Sequence, residues 1–262
     1  MPSIMVKGRN VPKSLEMAGH SKWKNIRIRK GKQDAIRGKV FTKLAREIIV
    51  AAKEGGGDPS MNPRLRVALE RARENSVPKD NIERSIKRGT GEIEGENYEA
   101  LTYEGYGPGG AAIVVECYTE NKNRTVAEVR HAFSKHGGNL AENGSVAWQF
   151  KYCGQITVAR EGKDEDEVTM QALEAGAEDF VGEEETFVIL TARENLHTVN
   201  DSLERQGLKA DDVALTYVPT NKADLQPDDL RKLVKLMDAL DDLDDVQQTY
   251  VNVDIPDEYF EE

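Results

Sequence analysis

QITVA at residues 155–159, DEDEVTMQALEA at 164–175, DFVGE at 179–183, TFVILT at 186–191, RENLHTVNDSLERQ at 193–206 and VALTYV at 213–218 decide the fold. The short runs are rich in β-branched and aromatic residues, as strands are. The longer runs between them repeat apolar residues at helical spacing. The order is βαββαβ, a complete ferredoxin-like unit.

Working outward, a similar but interrupted pattern surrounds this unit. Before it, Leu101–Tyr103 and Ala111–Tyr118 read as a hairpin joined by Glu104–Gly110, a glycine-rich turn. Thr125 and Glu128 read as a capping box opening a helix that runs to His136 and stops at Gly137. His136 is then a favourable cation at that helix end. Val146–Phe150 reads as a strand. After it, a helix beginning at Pro227 carries Leu230, Leu233, Val234, Met237 and Leu240 on one face, and Val246–Val253 reads as a last strand. The flanking pieces complete a second sheet-and-helix domain with the first inserted into it.

Residues 17–90 are helical in pattern. Phe41, Leu44, Ala45, Ile48 and Ala52 recur at helical spacing until Gly55-Gly56-Gly57. Asn62 followed by Pro63 opens a second helix with Leu65, Ala68, Leu69 and Ala72 inward. A third follows Pro78, with Ile82 and Ile86 inward and Gly89 at its end. The expected architecture is an α+β multidomain chain: an N-terminal three-helix domain followed by two ferredoxin-like α/β domains, the third inserted into the second. Its boundaries are a disordered extension over residues 1–16, the helical domain over 17–90, a discontinuous α/β domain over 97–153 and 219–262, and the inserted α/β domain over 154–218.

The net charge of −11 conceals a strong partition. Residues 1–90 hold 22 Lys and Arg against 9 Asp and Glu, a net of +13; residues 91–262 hold 14 against 38, a net of −24. Such asymmetry marks a polyanion-binding half joined to an acidic remainder. No stretch has the eighteen or so apolar residues of a membrane span, and the start lacks the apolar core of a secretory signal. Cys117 and Cys153 are far apart and suit buried thiols in a reducing cytoplasm.

The candidate binding residues follow from charge density. Lys22, Lys24, Arg27, Arg29, Lys30 and Lys32 fall within eleven residues that contain no acid and include Trp23. Arg37, Lys39, Lys43, Arg46 and Lys53 continue the series, and the last four of these share one stripe of their helix. Such a stripe tracks a phosphate backbone, and arginines clasp phosphate with two donors. Trp23 either stacks on an unpaired base or packs on the bundle. Arg64, Arg66, Arg71 and Arg73 flank the next helix and read as structural, with Glu70 and Glu74 within pairing reach. No element has the pattern of a base-reading helix, so backbone contacts are expected.

Enzyme chemistry finds no support in the sequence. The glycine loop lacks the Lys-Ser/Thr that follows in a phosphate-binding loop, and its glycines suit turn conformations. The four histidines show no metal-ligand spacing. Asp241-Asp242-Leu243-Asp244-Asp245 lacks the glycine and terminal Glu of a calcium loop. No catalytic residue, cofactor, metal or small-molecule substrate is expected.

Longer strings are more specific. MAGHSKW at 17–23, QDA at 33–35, RGK at 37–39, NPRLR at 62–66, PKDNI at 78–82, YEGYGPGG at 103–110, NKNRT at 121–125 and GSVA at 144–147 resemble the YebC/PmpR family, which includes the mitochondrial translational activator of cytochrome oxidase. The resemblance runs from Met17 to the C-terminus. Residues 1–16 have no counterpart in the family's usual opening, so Met17 is an alternative start, and Ile36 stands where the family commonly has Lys. The resemblance implies a helical domain followed by two α/β domains and no catalytic residues. It also implies one of two roles: a DNA-binding transcriptional regulator, or a ribosome-associated translation factor that relieves stalling. A ribosome offers both RNA for the basic half and basic ribosomal proteins for the acidic α/β domains, which favours rRNA over duplex DNA as the expected partner; a protein–protein adaptor working through the acidic domains is the more remote alternative.

Overall fold

The computed structural model describes residues 33–183 and 185–260. Residues 1–16 and the basic segment Lys22–Lys32 therefore lie outside the described residues. Three helices come first: α1 (Gln33–Gly55), α2 (Pro63–Glu74) and α3 (Lys79–Gly89). Leu44, Ile48, Ala51 and Ala52 of α1 meet Leu65, Ala68, Leu69 and Ala72 of α2, with Ile82 and Ile86 of α3 against them. The link between α1 and α2 is Asn62. Its side-chain oxygen accepts the Leu65 amide at 3.0 Å, and its amide donates to the carbonyls of Ala51 and Gly56, both at 2.8 Å. One buried side chain thus caps one helix and satisfies the open end of the other.

The first sheet has strand order β3-β1-β2-β8, all antiparallel. Its strands are β1 (Glu99–Tyr106), β2 (Ala112–Thr119), β3 (Asn139–Leu140) and β8 (Val246–Val251). α4 (Lys122–Lys135) and α7 (Pro227–Asp241) cover one face, enclosing Ile113, Val115, Phe133, Leu233, Met237 and Val251. The β1–β2 turn uses Gly109 at φ +67° and Gly110 at φ +83°, backbone angles that disfavour side chains bearing a Cβ. The other face of β2 is buried too: Ala112 and Val114 meet Val146, Phe150 and Tyr250. Burial on both faces explains why Ala111–Val115 is apolar without alternation.

The second sheet has order β5-β6-β4-β7, also antiparallel, built from β4 (Phe150–Ala159), β5 (Asp179–Gly182), β6 (Thr186–Thr191) and β7 (Asp212–Pro219). α5 (Glu165–Ala175) and α6 (Leu196–Arg205) lie on one face around Ile156, Val158, Phe187, Ile189 and Leu203. The chain is thus α+β, with seven helices and two four-stranded sheets among the described residues. The helical unit touches both sheets. Ile49 and Val50 of α1 meet Tyr98 and Tyr118, and Val67 of α2 joins the core of the second sheet. No helix among the described residues is long and apolar enough to cross a membrane.

Two local expectations change. Val146–Phe150 is not a strand: Ala147–Gln149 is a 3-10 turn, and β4 begins at Phe150 and continues unbroken through Gly154. A Cβ on Gly154 would lie 2.4 Å from the Thr191 hydroxyl, so this glycine permits close packing inside a strand. The helix at Thr125 begins three residues earlier, where Asn121 accepts the Arg124 amide at 3.1 Å. Thr125 is released from capping for a tertiary contact described below.

Replacing Asn62 with Ala removes the cap and strands two carbonyls, which should cost about 2 kcal/mol. Urea unfolding followed by circular dichroism measures this; an unchanged midpoint contradicts the assigned role.

Candidate nucleic-acid interface

Of the expected binding residues, Lys22, Trp23, Lys24, Arg27, Arg29, Lys30 and Lys32 lie outside the described residues. Arg37 stands in α1, and its side chain is outside the description as well. Lys39, Lys43, Arg46 and Lys53 do share one face of α1, but that face turns towards the first sheet and the turn after α7. Lys39 Nζ lies 3.4 Å from the carbonyl of Asp242 and 3.4 Å from its Oδ1. Lys43 Nζ lies 3.5 Å from the carbonyl of Asp241. Arg46 donates to the carbonyl of Asp244 and sits 3.4 Å from Asp245 Oδ1, with its guanidinium 5.2 Å from the centroid of the Tyr98 ring. Lys53 donates to Asn97 Oδ1 at 2.6 Å and to the Tyr98 carbonyl at 3.1 Å. Between α1 and the turn lies a cleft of about 310 Å³ lined by Gly38, Lys39, Thr42, Lys43, Arg46, Leu243 and Asp244.

The acidic run that lacked calcium-loop geometry therefore receives protein cations. Asp245, 1% exposed, is its anchor. Its carboxylate accepts Arg124 Nη2 at 2.8 and 3.1 Å, Thr125 Oγ1 at 2.8 Å and Thr119 Oγ1 at 3.0 Å, and its carbonyl accepts the Tyr118 amide at 2.9 Å. Burial alone would raise its pKa, but the hydrogen bonds from Arg124, Thr125 and Thr119 hold it below the ordinary value. Asn121, Arg124 and Thr125 of the NKNRT string thus have structural tasks.

A second buried carboxylate explains two other strings. Glu104 accepts the amides of Gly144, Val146 and Ala147 at 2.7, 2.7 and 2.8 Å. Burial would raise its pKa, yet the three backbone donors lower it. YEGYG and GSVA are two halves of one anchor, which is why Val146 cannot pair as a strand. Sequence reasoning missed both carboxylates. No local signal marks them, because their partners lie far along the chain: Thr119, Arg124 and Thr125 for Asp245, and Gly144, Val146 and Ala147 for Glu104.

Arg64 and Arg71 of α2 are structural, and their partners are Glu54, Tyr118 and Glu47. Arg64 pairs with Glu54 and donates to Tyr118 Oη at 2.7 Å, and Arg71 meets Glu47 at 3.0 Å. These pairs cross between elements. Nearby, Tyr250 Oη donates to Glu116 Oε2 at 2.8 Å, and Tyr152, Tyr217 and Tyr250 form a chain of rings with centroids 4.6 and 5.1 Å apart. Burial pushes Glu116 above the usual carboxylate range. His136 stands at the C-terminal end of α4, as expected, and burial, Lys135 and Lys235 lower its pKa. Both cysteines are buried; burial raises both thiols, that of Cys153 to about 11. Among the described residues, no group of three His, Cys, Asp or Glu is placed to hold a metal ion.

The ionised form of Asp245 is the stabilising one, so its contribution exists above the ordinary Asp pKa and is lost as pH falls through the folded value. Asp245→Asn should destabilise by about 3 kcal/mol at neutral pH by removing the buried carboxylate that Arg46 and the Thr119 and Thr125 hydroxyls meet. Denaturation curves across pH should show that deficit shrinking below about pH 4, near the ordinary Asp pKa. A deficit that persists unchanged in acid would rule out charge as its source.

Comparison with known proteins supplies the remaining evidence. Residues 21–92 match the TACO1/YebC N-terminal domain, and residues 98–253 match the TACO1/YebC second and third domain. A relative from Dictyoglomus turgidum is 55% identical over 243 residues, 92% of this chain and 98% of that protein. One from Halothermothrix orenii is 53% identical over 249 residues, 94% of this chain and 98% of its own. Both carry the name "probable transcriptional regulatory protein". The crystal structure of a conserved hypothetical protein from Aquifex aeolicus superposes with a TM-score of 0.79 at 46% identity, covering 86% of this chain and 93% of that one. The chain is a member of the TACO1/YebC family.

Proposed function

We propose that this chain is a cytoplasmic, non-enzymatic regulator of gene expression that binds structured nucleic acid through Lys22–Lys32 and the adjoining start of α1, with ribosomal RNA its preferred target. The observation that carries the reading is the charge partition: +13 in residues 1–90 against −24 in the remainder. A polyanion beside the whole molecule would be repelled by the acidic part, so binding is confined to one end. A ribosome offers phosphates to that end and basic proteins to the acidic sheets; duplex DNA offers only the first. The names of the relatives favour a second reading, a DNA-binding transcriptional regulator.

Reversing Lys22, Lys24, Arg27, Arg29 and Lys30 to Glu should abolish binding while leaving thermal unfolding unchanged. A competition titration of the intact protein against ribosomes and duplex DNA over a salt series separates the two readings. With six to ten phosphate contacts, duplex affinity should fall roughly a thousandfold or more between 50 and 200 mM salt. Ribosome binding that survives at the upper end supports the translational role. Tight retention of a defined duplex, with no competition from ribosomes, overturns it.

A further inference from the structure

The core of the second sheet takes Val168 and Ala172 from α5 and leaves Met170 and Leu173 outside it, 59% and 55% exposed. Among the described residues, these are the large apolar side chains that stand exposed on an α-helix. Their i,i+3 spacing makes them neighbours on one face. Asp166, Glu167 and Glu174 border them at the same kind of spacing; all three are exposed, and none forms an ion pair among the described residues. Glu165 and Glu178, by contrast, are held by Arg160 and Lys151. The acids of the first turn suit the positive end of the helix, but Glu174 stands at the negative end, where the last turn has no basic residue to offset it. Apolar side chains in water and an acid at a helix C-terminus both cost stability, and here they share one face. Breaches of local rules without local compensation mark functional surfaces.

The surroundings define what the face can meet. Residues 161–185 hold eleven Asp and Glu against one Lys. That lysine, Lys163, donates to the Ala159 carbonyl at 2.8 Å. α5 runs beside β5, one edge of the second sheet, whereas α2 meets β7 at the other edge. A polyanion held by the basic N-terminal segment therefore leaves this face free. The local charge repels nucleic acid and attracts a cationic partner, and Met170 and Leu173 require that partner to carry apolar side chains as well.

We propose that the outer face of α5 docks a Lys/Arg-rich amphipathic helix of a ribosomal protein. Apolar side chains one turn apart on that helix cover Met170 and Leu173, while its cations meet Asp166, Glu167 and Glu174. Met170, unbranched and flexible, adapts to the outline of the incoming helix. This inference rests on the proposed ribosomal role and gives the acidic half its contact surface.

Three full-length variants, titrated against ribosomes and against protein-free ribosomal RNA, test it. Met170→Ala/Leu173→Ala removes the apolar pair, and Asp166→Asn/Glu167→Gln/Glu174→Gln removes the charges. Glu142→Gln/Asp224→Asn/Asp254→Asn makes the same charge change at exposed acids elsewhere. Each of the first two should weaken ribosome binding about tenfold, with binding to free RNA not weakened and thermal unfolding close to that of the wild type. The sign separates docking from bulk charge: removing acids makes the protein less negative, so bulk charge alone would tighten binding to a polyanion, as the third variant should show. Wild-type or tighter ribosome binding by either of the first two overturns the inference and leaves the proposed function standing. An equal loss on free RNA also overturns it, because the contact is then not with protein. A wild-type protein that binds neither ribosomes nor RNA overturns both.

Discussion

The carboxylate of Asp245 is the point on which the arrangement turns. It sits where α1, β2, α4 and the entry to β8 converge, and it is charged in a place with almost no solvent. A buried charge survives only when its hydrogen-bonding capacity is filled. Here Thr119 supplies a donor from the end of β2, Arg124 and Thr125 supply donors from the first turn of α4, and Arg46 brings a cation from α1. These partners come from three elements, so satisfying one charge fixes α1, β2 and α4 to the entry to β8. The helical unit is thereby fastened to the body by a polar interaction with directional demands, alongside the apolar contact of Ile49 and Val50 with Tyr98 and Tyr118.

The basic half and the acidic half consequently meet at one defined seam. Residues that look from sequence like a uniform phosphate track divide into two groups. Arg46 and Lys53 serve the seam, through Asp245, Tyr98 and Asn97. Lys39 and Lys43 stand at its rim beside a cleft. Elsewhere the same logic recurs at Glu104, which holds the segment from Gly144 to Ala147 by three backbone amides. Two buried acids, each satisfied completely, organise the loops that the apolar cores leave undefined.

How much of this was legible in the sequence follows from the range of the interactions. The three helices, the βαββαβ order and the interruption of the first sheet's pattern are written in local periodicity, and the elements appear close to where it places them. Gly109 and Gly110 were readable as turn residues because positive φ is a local property. What stayed hidden was set by distant partners. Thr125 reads as a cap until Asp245, far along the chain, claims its hydroxyl. Val146 reads as a strand residue until Glu104 takes its amide. The stripe on α1 was visible as charge, but the direction it faces depends on where the α7–β8 turn lies, which no window of sequence contains. Three of the resembling strings, NKNRT, YEGYG and GSVA, mark these hidden anchors, and NPRLR opens with the Asn62 that joins α1 to α2.

The most direct test of this account is a double-mutant cycle between Arg46 and Asp245, using Arg46→Ala, Asp245→Asn and the double variant at neutral pH and following the first unfolding transition. If Asp245 fastens the basic helix to the acidic body, the two substitutions should couple by about 1–3 kcal/mol. Additivity to within about 0.5 kcal/mol would mean that the two residues act independently and that this pair does not fasten the halves.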